Sequence, residues 1–152
     1  MNADLSVAPE IAQLAAPFAA SPSPSPARPG AAPRTDGRAA AELGELGGVP
    51  QRWWDLVRFD PDGPLRIPLP GEAGAWLLVL PPDTVTDCDC RYATLLAGAA
   101  AEAAGPGPAP LAPRPLRSGR VLVHGGDAPH RVAGAGHGYS VTLHRAGLTP
   151  GE

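Results

Sequence analysis

The sequence predicts a mainly β domain, a sandwich or barrel of short strands, behind a proline-rich tail. Three observations carry this. Short apolar or alternating runs recur through the second half of the chain, separated by Gly- and Pro-containing turns. One of them, Ala75–Leu80, is apolar without interruption, the pattern of a strand covered on both faces. The 21 prolines and 19 glycines exceed a quarter of the 152 residues, a share that marks low-complexity segments, and a third of the prolines fall before residue 34.

Residues 1–36 read as a disordered Pro/Ala/Ser-rich tail. The stretch Ser21 to Pro33 is too poor in large apolar residues to bury a core. A helical turn or two over 4–16 is kept short by Pro9 and Pro17. The folded domain is expected over 37–152. Thr35 or Asp36 caps a helix over 38–46, with Ala39–Ala41, Leu43 and Leu46 on its apolar face and Gly47-Gly48 as its stop. Residues 51–57 form a second short helix or turn, and Pro61-Asp62-Gly63 a turn. Strands follow at 65–69, 75–80 and 84–90. Two more, at 92–97 and 99–102, flank Gly98. A Pro-rich loop spans 105–115, and the last strands lie at 121–123, 131–133 and 139–144. Trp53, Trp54 and Trp76 are expected to pack in the core.

A net charge of −3 gives no basis for binding nucleic acid or an anionic membrane surface. No apolar run approaches the ~20 residues that span a bilayer. The first twenty residues carry Asp4 and no basic region, so no secretory leader is expected. Two cysteines at i and i+2 are not a disulfide framework, which points to a reducing, cytoplasmic compartment. A monomer is the expectation.

The chemistry-bearing residues are few. Cys88 and Cys90 flank Asp89, and alternation along a strand puts both thiols on one face. His130 follows Gly119 after ten intervening residues, and Thr142 and His144 alternate near the end of the chain. His124 and His137 are expected at the surface or in loops. Two thiols and one imidazole suit zinc with an open fourth position. Equally, they suit two inert buried thiols with no metal. Thr142 and His144 could simply satisfy each other across a strand face.

Residues 38–148 resemble the bacterial branch of the cysteine dioxygenases, thiol dioxygenases of the cupin superfamily. The likeness lies in the lead-in Arg52-Trp53-Trp54-Asp55-Leu56-Val57, in Ala75 to Pro81, in Leu96 to Glu102 with its closing Gly turn and acidic residue, and in the spacing from Gly119 to His130. Thr142 and His144 match the Ser/Thr and His beyond the metal in that family. The family's His-Asp-His reads Cys88-Asp89-Cys90 here, and its Tyr is Ala146.

The resemblance implies a small cupin, a double-stranded β-helix or jelly-roll-like barrel, with one or two short N-terminal helices. It implies oxidation of a small, cysteine-like thiol to a sulfinate by O2 at mononuclear iron(II). In that reading Cys88, Cys90 and His130 hold the metal. His144 and Thr142 are catalytic, and Arg66 meets a substrate carboxylate. The family's iron is held by three neutral imidazoles and stays cationic. Two thiolates cancel that charge and expose themselves to oxidation. The alternative is therefore a pseudoenzyme that binds zinc, a small ligand or a protein partner.

Overall fold

In the computed structural model, residues 35–104, 113–125 and 129–147 are described. The expected helical turns before Pro17 and the tail up to Arg34 lie outside them. Thr35 and Asp36 open helix α1 (Asp36–Gly47). The Thr35 hydroxyl accepts from the Arg38 amide at 3.3 Å, and Ala39, Leu43 and Leu46 form the buried stripe, while Ala40 is half-buried and Ala41 exposed because they turn off that face. Pro50–Arg52 and Trp54–Leu56 are single 3-10 turns, matching the short helix or turn expected there. Trp53 between them is buried, and its indole N–H donates to the Gly47 carbonyl at 3.3 Å. Trp54 is not a core residue: it is 54 % exposed, because the change of turn at Trp53 rotates its neighbour outward.

Nine strands are described: β1 (Leu65–Pro68), β2 (Ala75–Leu80), β3 (Val85–Cys88), β4 (Tyr92–Ala97), β5 (Ala100–Ala104), β6 (Arg114–Pro115), β7 (Leu122–Val123), β8 (His130–Gly134) and β9 (Ser140–Arg145). Arg114 and Pro115 pair with Glu102 and Ala101, so the end of the stretch expected to be loop is a short edge strand. The strands form two antiparallel sheets, ordered β1-β2-β9-β4-β7 and β3-β8-β5-β6. From β2 onward the chain crosses repeatedly between the sheets: β2, β4, β7 and β9 lie in the first, and β3, β5, β6 and β8 in the second. That alternation is the double-stranded β-helix of the cupins.

The first sheet is covered on both sides. Leu77, Val79, Tyr92, Val141 and Leu143 pack under Ala39, Leu43 and Leu46 of α1. On the opposite face Trp76, Leu78, Leu80, Ala93 and Leu95 meet Cys88, Ala100 and Val132 of the second sheet. This explains the uninterrupted apolar run of β2: odd positions serve one interior and even positions the other. Gly98 makes the β4–β5 crossing. It sits at φ +75°, and a Cβ there would lie 2.4 Å from the Tyr139 carbonyl oxygen. Among the described residues, no helix is long and apolar enough to cross a membrane.

Candidate metal centre

The even face of β9 carries Ser140, Thr142 and His144 into the space between the sheets, all fully buried. Cys88 ends β3 directly opposite His130, which opens β8. Cys90 lies just past the strand, so simple alternation does not place it. Its thiol nevertheless converges with that of Cys88 on one imidazole. His144 Nδ1 lies 3.5 Å from Cys88 Sγ and 3.1 Å from Cys90 Sγ. On its far side Cys90 Sγ meets His130 Nε2 at 3.2 Å.

The tautomer of His144 follows from its neighbours. Thr142 Oγ1 lies 3.3 Å from the Leu78 carbonyl, which can only accept, so the hydroxyl donates there. The same oxygen, 2.7 Å from His144 Nε2, then accepts the ring N–H. The Nδ1 lone pair is left facing the two sulfurs. The ring is also stacked on Trp76, with centroids 5.8 Å apart.

Beside the sulfurs is a second group of donors. His124 stacks on His130 with ring centroids 3.9 Å apart. His124 Nε2 stands 3.0 Å from Glu102 Oε2, with the His124 side chain 11 % exposed and that of Glu102 3 %. Neither atom has a hydrogen-bond partner among the described residues, and neither does Glu102 Oε1. A buried carboxylate without hydrogen bonds is destabilising by several kcal/mol unless a cation neutralises it. Donor atoms of Cys90, Glu102, His124 and His130 lie within 4.8 Å of one another, and so do those of Cys88, Cys90 and His144.

Each thiol shifts the acidity of the other. The hydrogen bond from Cys90 pulls the Cys88 thiol far below the usual thiol range against the opposing effect of burial. The same contact, with burial and the nearby Cys88 charge, pushes Cys90 up.

The fold thus divides the residues singled out in the sequence. Cys90 and His130 join Glu102 and His124, while Cys88 and Cys90 join His144. Thr142 touches the site only through His144. Arg66 lines a cleft of about 470 Å³, which Cys88, Asp89, His130 and Arg131 also line. Its guanidinium stacks 3.7 Å above the Trp76 ring and lies 3.5 Å from Asp89.

His124 corrects an expectation. It does follow β7 in a connecting stretch, but its side chain turns inward against His130. Parity was the available signal: His124 shares its side with Leu122, which packs against the inter-sheet core. Glu102 gave a clearer one, as the lone charged residue in Ala100-Ala101-Glu102-Ala103-Ala104 and on the same side as buried Ala100. His137 is exposed in a bend, as expected.

The donor set fits a zinc-class ion, which takes thiolate, imidazole and carboxylate together. No family model matches the sequence, and no curated protein sequence matches it. Solved structures do. A protein of Thermus thermophilus shares 17 % identity over 61 % of this chain and 92 % of its own, with a TM-score of 0.48. A cupin superfamily protein of Desulfitobacterium hafniense shares 14 % over 63 % and 89 %, at 0.45. A conserved protein with a double-stranded β-helix domain from Klebsiella pneumoniae shares 15 % over 59 % and 81 %, at 0.46. These likenesses bear on neither the site nor the resemblance to the cysteine dioxygenases. This chain is a cupin-fold protein with a buried His/Cys/Glu cluster, on the strength of its own strand order and donor geometry.

Proposed function

We propose that this protein is a metal-binding cupin whose ion, of the zinc class, is held by Cys90, Glu102, His124 and His130. The observation that carries this is Glu102, a buried carboxylate with both oxygens unbonded and one of them 3.0 Å from an imidazole nitrogen. Zn–N and Zn–O bonds of about 2.0–2.2 Å at a tetrahedral angle separate two donors by roughly 3.3–3.5 Å, close to that spacing. When bound, the ion supplies a fixed positive charge that offsets the carboxylate and a thiolate. The protein's own residues do the rest. Stacking on His130 fixes the His124 ring, pairing of β5 with β8 fixes Glu102, and the apolar layer around Leu95, Leu116 and Val132 packs beside Cys90. Four protein donors close such a site, which favours a structural or binding role.

A second reading is the thiol dioxygenase, with iron(II) at Cys88, Cys90 and His130 and a small thiol as substrate. Two observations favour it: the Thr142–His144 contact and the presence of Arg66 in the cleft lining. The charge of two thiolates weighs against it.

Elemental analysis of protein reconstituted with zinc and with iron(II), alongside O2 uptake with cysteine-like thiols, separates the two. Less zinc retained by Glu102→Gln than by wild type, with no thiol-dependent O2 uptake, is the expected result. Iron retained despite Glu102→Gln, with O2 uptake, would replace the first reading by the second.

A further inference from the structure

The four-donor reading leaves Cys88, His144 and Thr142 unused, although all three are buried and converge on Cys90. We infer that this protein binds a second divalent ion at Cys88, Cys90 and His144, with the Cys90 thiolate bridging the two ions. This inference rests on the four-donor reading for its first ion.

Geometry supports it in three ways. The donor atoms of each group lie within 4.8 Å of one another, and Cys90 is the member common to both. Zn–S of about 2.3 Å and Zn–N of about 2.0 Å at a tetrahedral angle separate sulfur from nitrogen by roughly 3.5 Å. The three sulfur–nitrogen separations around the two sulfurs are 3.1, 3.2 and 3.5 Å, two belonging to the inferred site and one to its neighbour. Finally, the Leu78 carbonyl and the Thr142 hydroxyl hold His144 with Nδ1 unprotonated and aimed at both sulfurs, the form in which an imidazole binds metal.

The two sites differ in kind. The first has four protein donors and is closed. The inferred one has three, and among the two cysteines it is Cys88 that lines the cleft, so the fourth position opens there. Sharing Cys90 also solves a charge difficulty. Two thiolates on one divalent ion leave it neutral. Two thiolates and one carboxylate spread over two divalent ions leave a net positive centre, which accepts water or a small anion from the cleft beside Arg66.

The test is titration of the reduced, metal-free full chain with cobalt(II), followed by bound-metal analysis and electron paramagnetic resonance. Two equivalents are expected in wild type. The resonance should grow through the first and fall as the second ion couples to it through the shared sulfur. Cys88→Ser and His144→Ala should each bind one equivalent, with no fall. Glu102→Gln and His124→Ala probe the first site independently.

One equivalent in wild type, kept in Cys88→Ser and lost in Glu102→Gln, would overturn the second ion and leave the four-donor reading standing. One equivalent lost in Cys88→Ser and kept in His124→Ala would overturn both, since the only ion would sit at the trio. Two equivalents in every variant would overturn the inference by placing the second ion elsewhere.

Discussion

The two faces of the first sheet are built from the same strands and do opposite things. On the helix side, alternate residues of β2, β4 and β9 meet Ala39, Leu43 and Leu46 in a layer made almost wholly of hydrocarbon. On the inner side, the intervening residues of β2, β4 and β9 face two thiols, three imidazoles and a carboxylate. Adjacent residues therefore belong to different chemistries: Leu143 packs on the helix, and His144 joins the thiols. The helix-side layer confers stability whatever is bound. The inner layer buries groups that could hold a cation among them.

The sharpest way to break this comparison is to mutate across a single peptide bond. Leu143→Ala removes a fully buried side chain from the dry layer and should lower unfolding free energy by about 2–5 kcal/mol. Urea denaturation should give that same loss with zinc present and with chelator. His144→Ala, one residue on, should shift binding and depend strongly on which of the two is present. A Leu143→Ala loss that varied with chelator would mean that the faces are not independent.

Next in size is the linkage of metal to folding. Zinc at a hundredfold excess over its dissociation constant should stabilise wild type by about 2.7 kcal/mol. Cys90→Ser removes the donor common to both groups and should abolish that gain. Thermal melts with and without chelator measure it, and an equal zinc effect in wild type and Cys90→Ser would remove the inner face from metal binding.

Thr142→Val tests whether orientation of His144 matters. The side chain keeps its shape and loses the hydroxyl that fixes the ring tautomer. Loss of such a partner weakens metal affinity by roughly 10–100-fold. The weakening should fall on the second cobalt equivalent and spare the first. An equal effect on both would make Thr142 a general packing residue.

The two faces also differed in how readable they were. The dry layer follows from period: the unbroken run of β2 foretold a doubly covered strand, and Ala39, Leu43 and Leu46 of the expected apolar face form the helix stripe, with Ala41 turned outward. The inner layer was legible only where donors sit close in sequence or match a known spacing, as Cys88, Cys90, His130, Thr142 and His144 do. Glu102 and His124 come from β5 and from beyond β7, and only the crossing of strands between sheets brings them to Cys90. Cys90 itself lies past the end of β3, where alternation no longer governs direction, yet its thiol reaches the site. Pairing across sheets is a property of topology, and neither composition nor local spacing encodes it.

The smallest expected effect lies on the helix side, where α1 is tied down by charge. The Asp36 carboxylate receives Arg91 at 3.1 and 2.8 Å and the Tyr92 hydroxyl at 2.6 Å. Arg91, and then Tyr92, hold its pKa down to about 2. A carboxyl group whose folded pKa is depressed binds its proton more readily in the unfolded chain, where it titrates near 4. Its contribution is therefore complete above about pH 4 and is lost as the pH falls through about 2. Asp36→Asn should melt slightly below wild type at neutral pH, modestly because Asp36 is half exposed and solvent screens the pair. The gap should close between about pH 4 and pH 2 and be insensitive to zinc throughout. A gap that widened on acidification would show that the Arg91 contact destabilises the helix end. One that responded to zinc would show that the helix face and the metal face are coupled through β4 and β9.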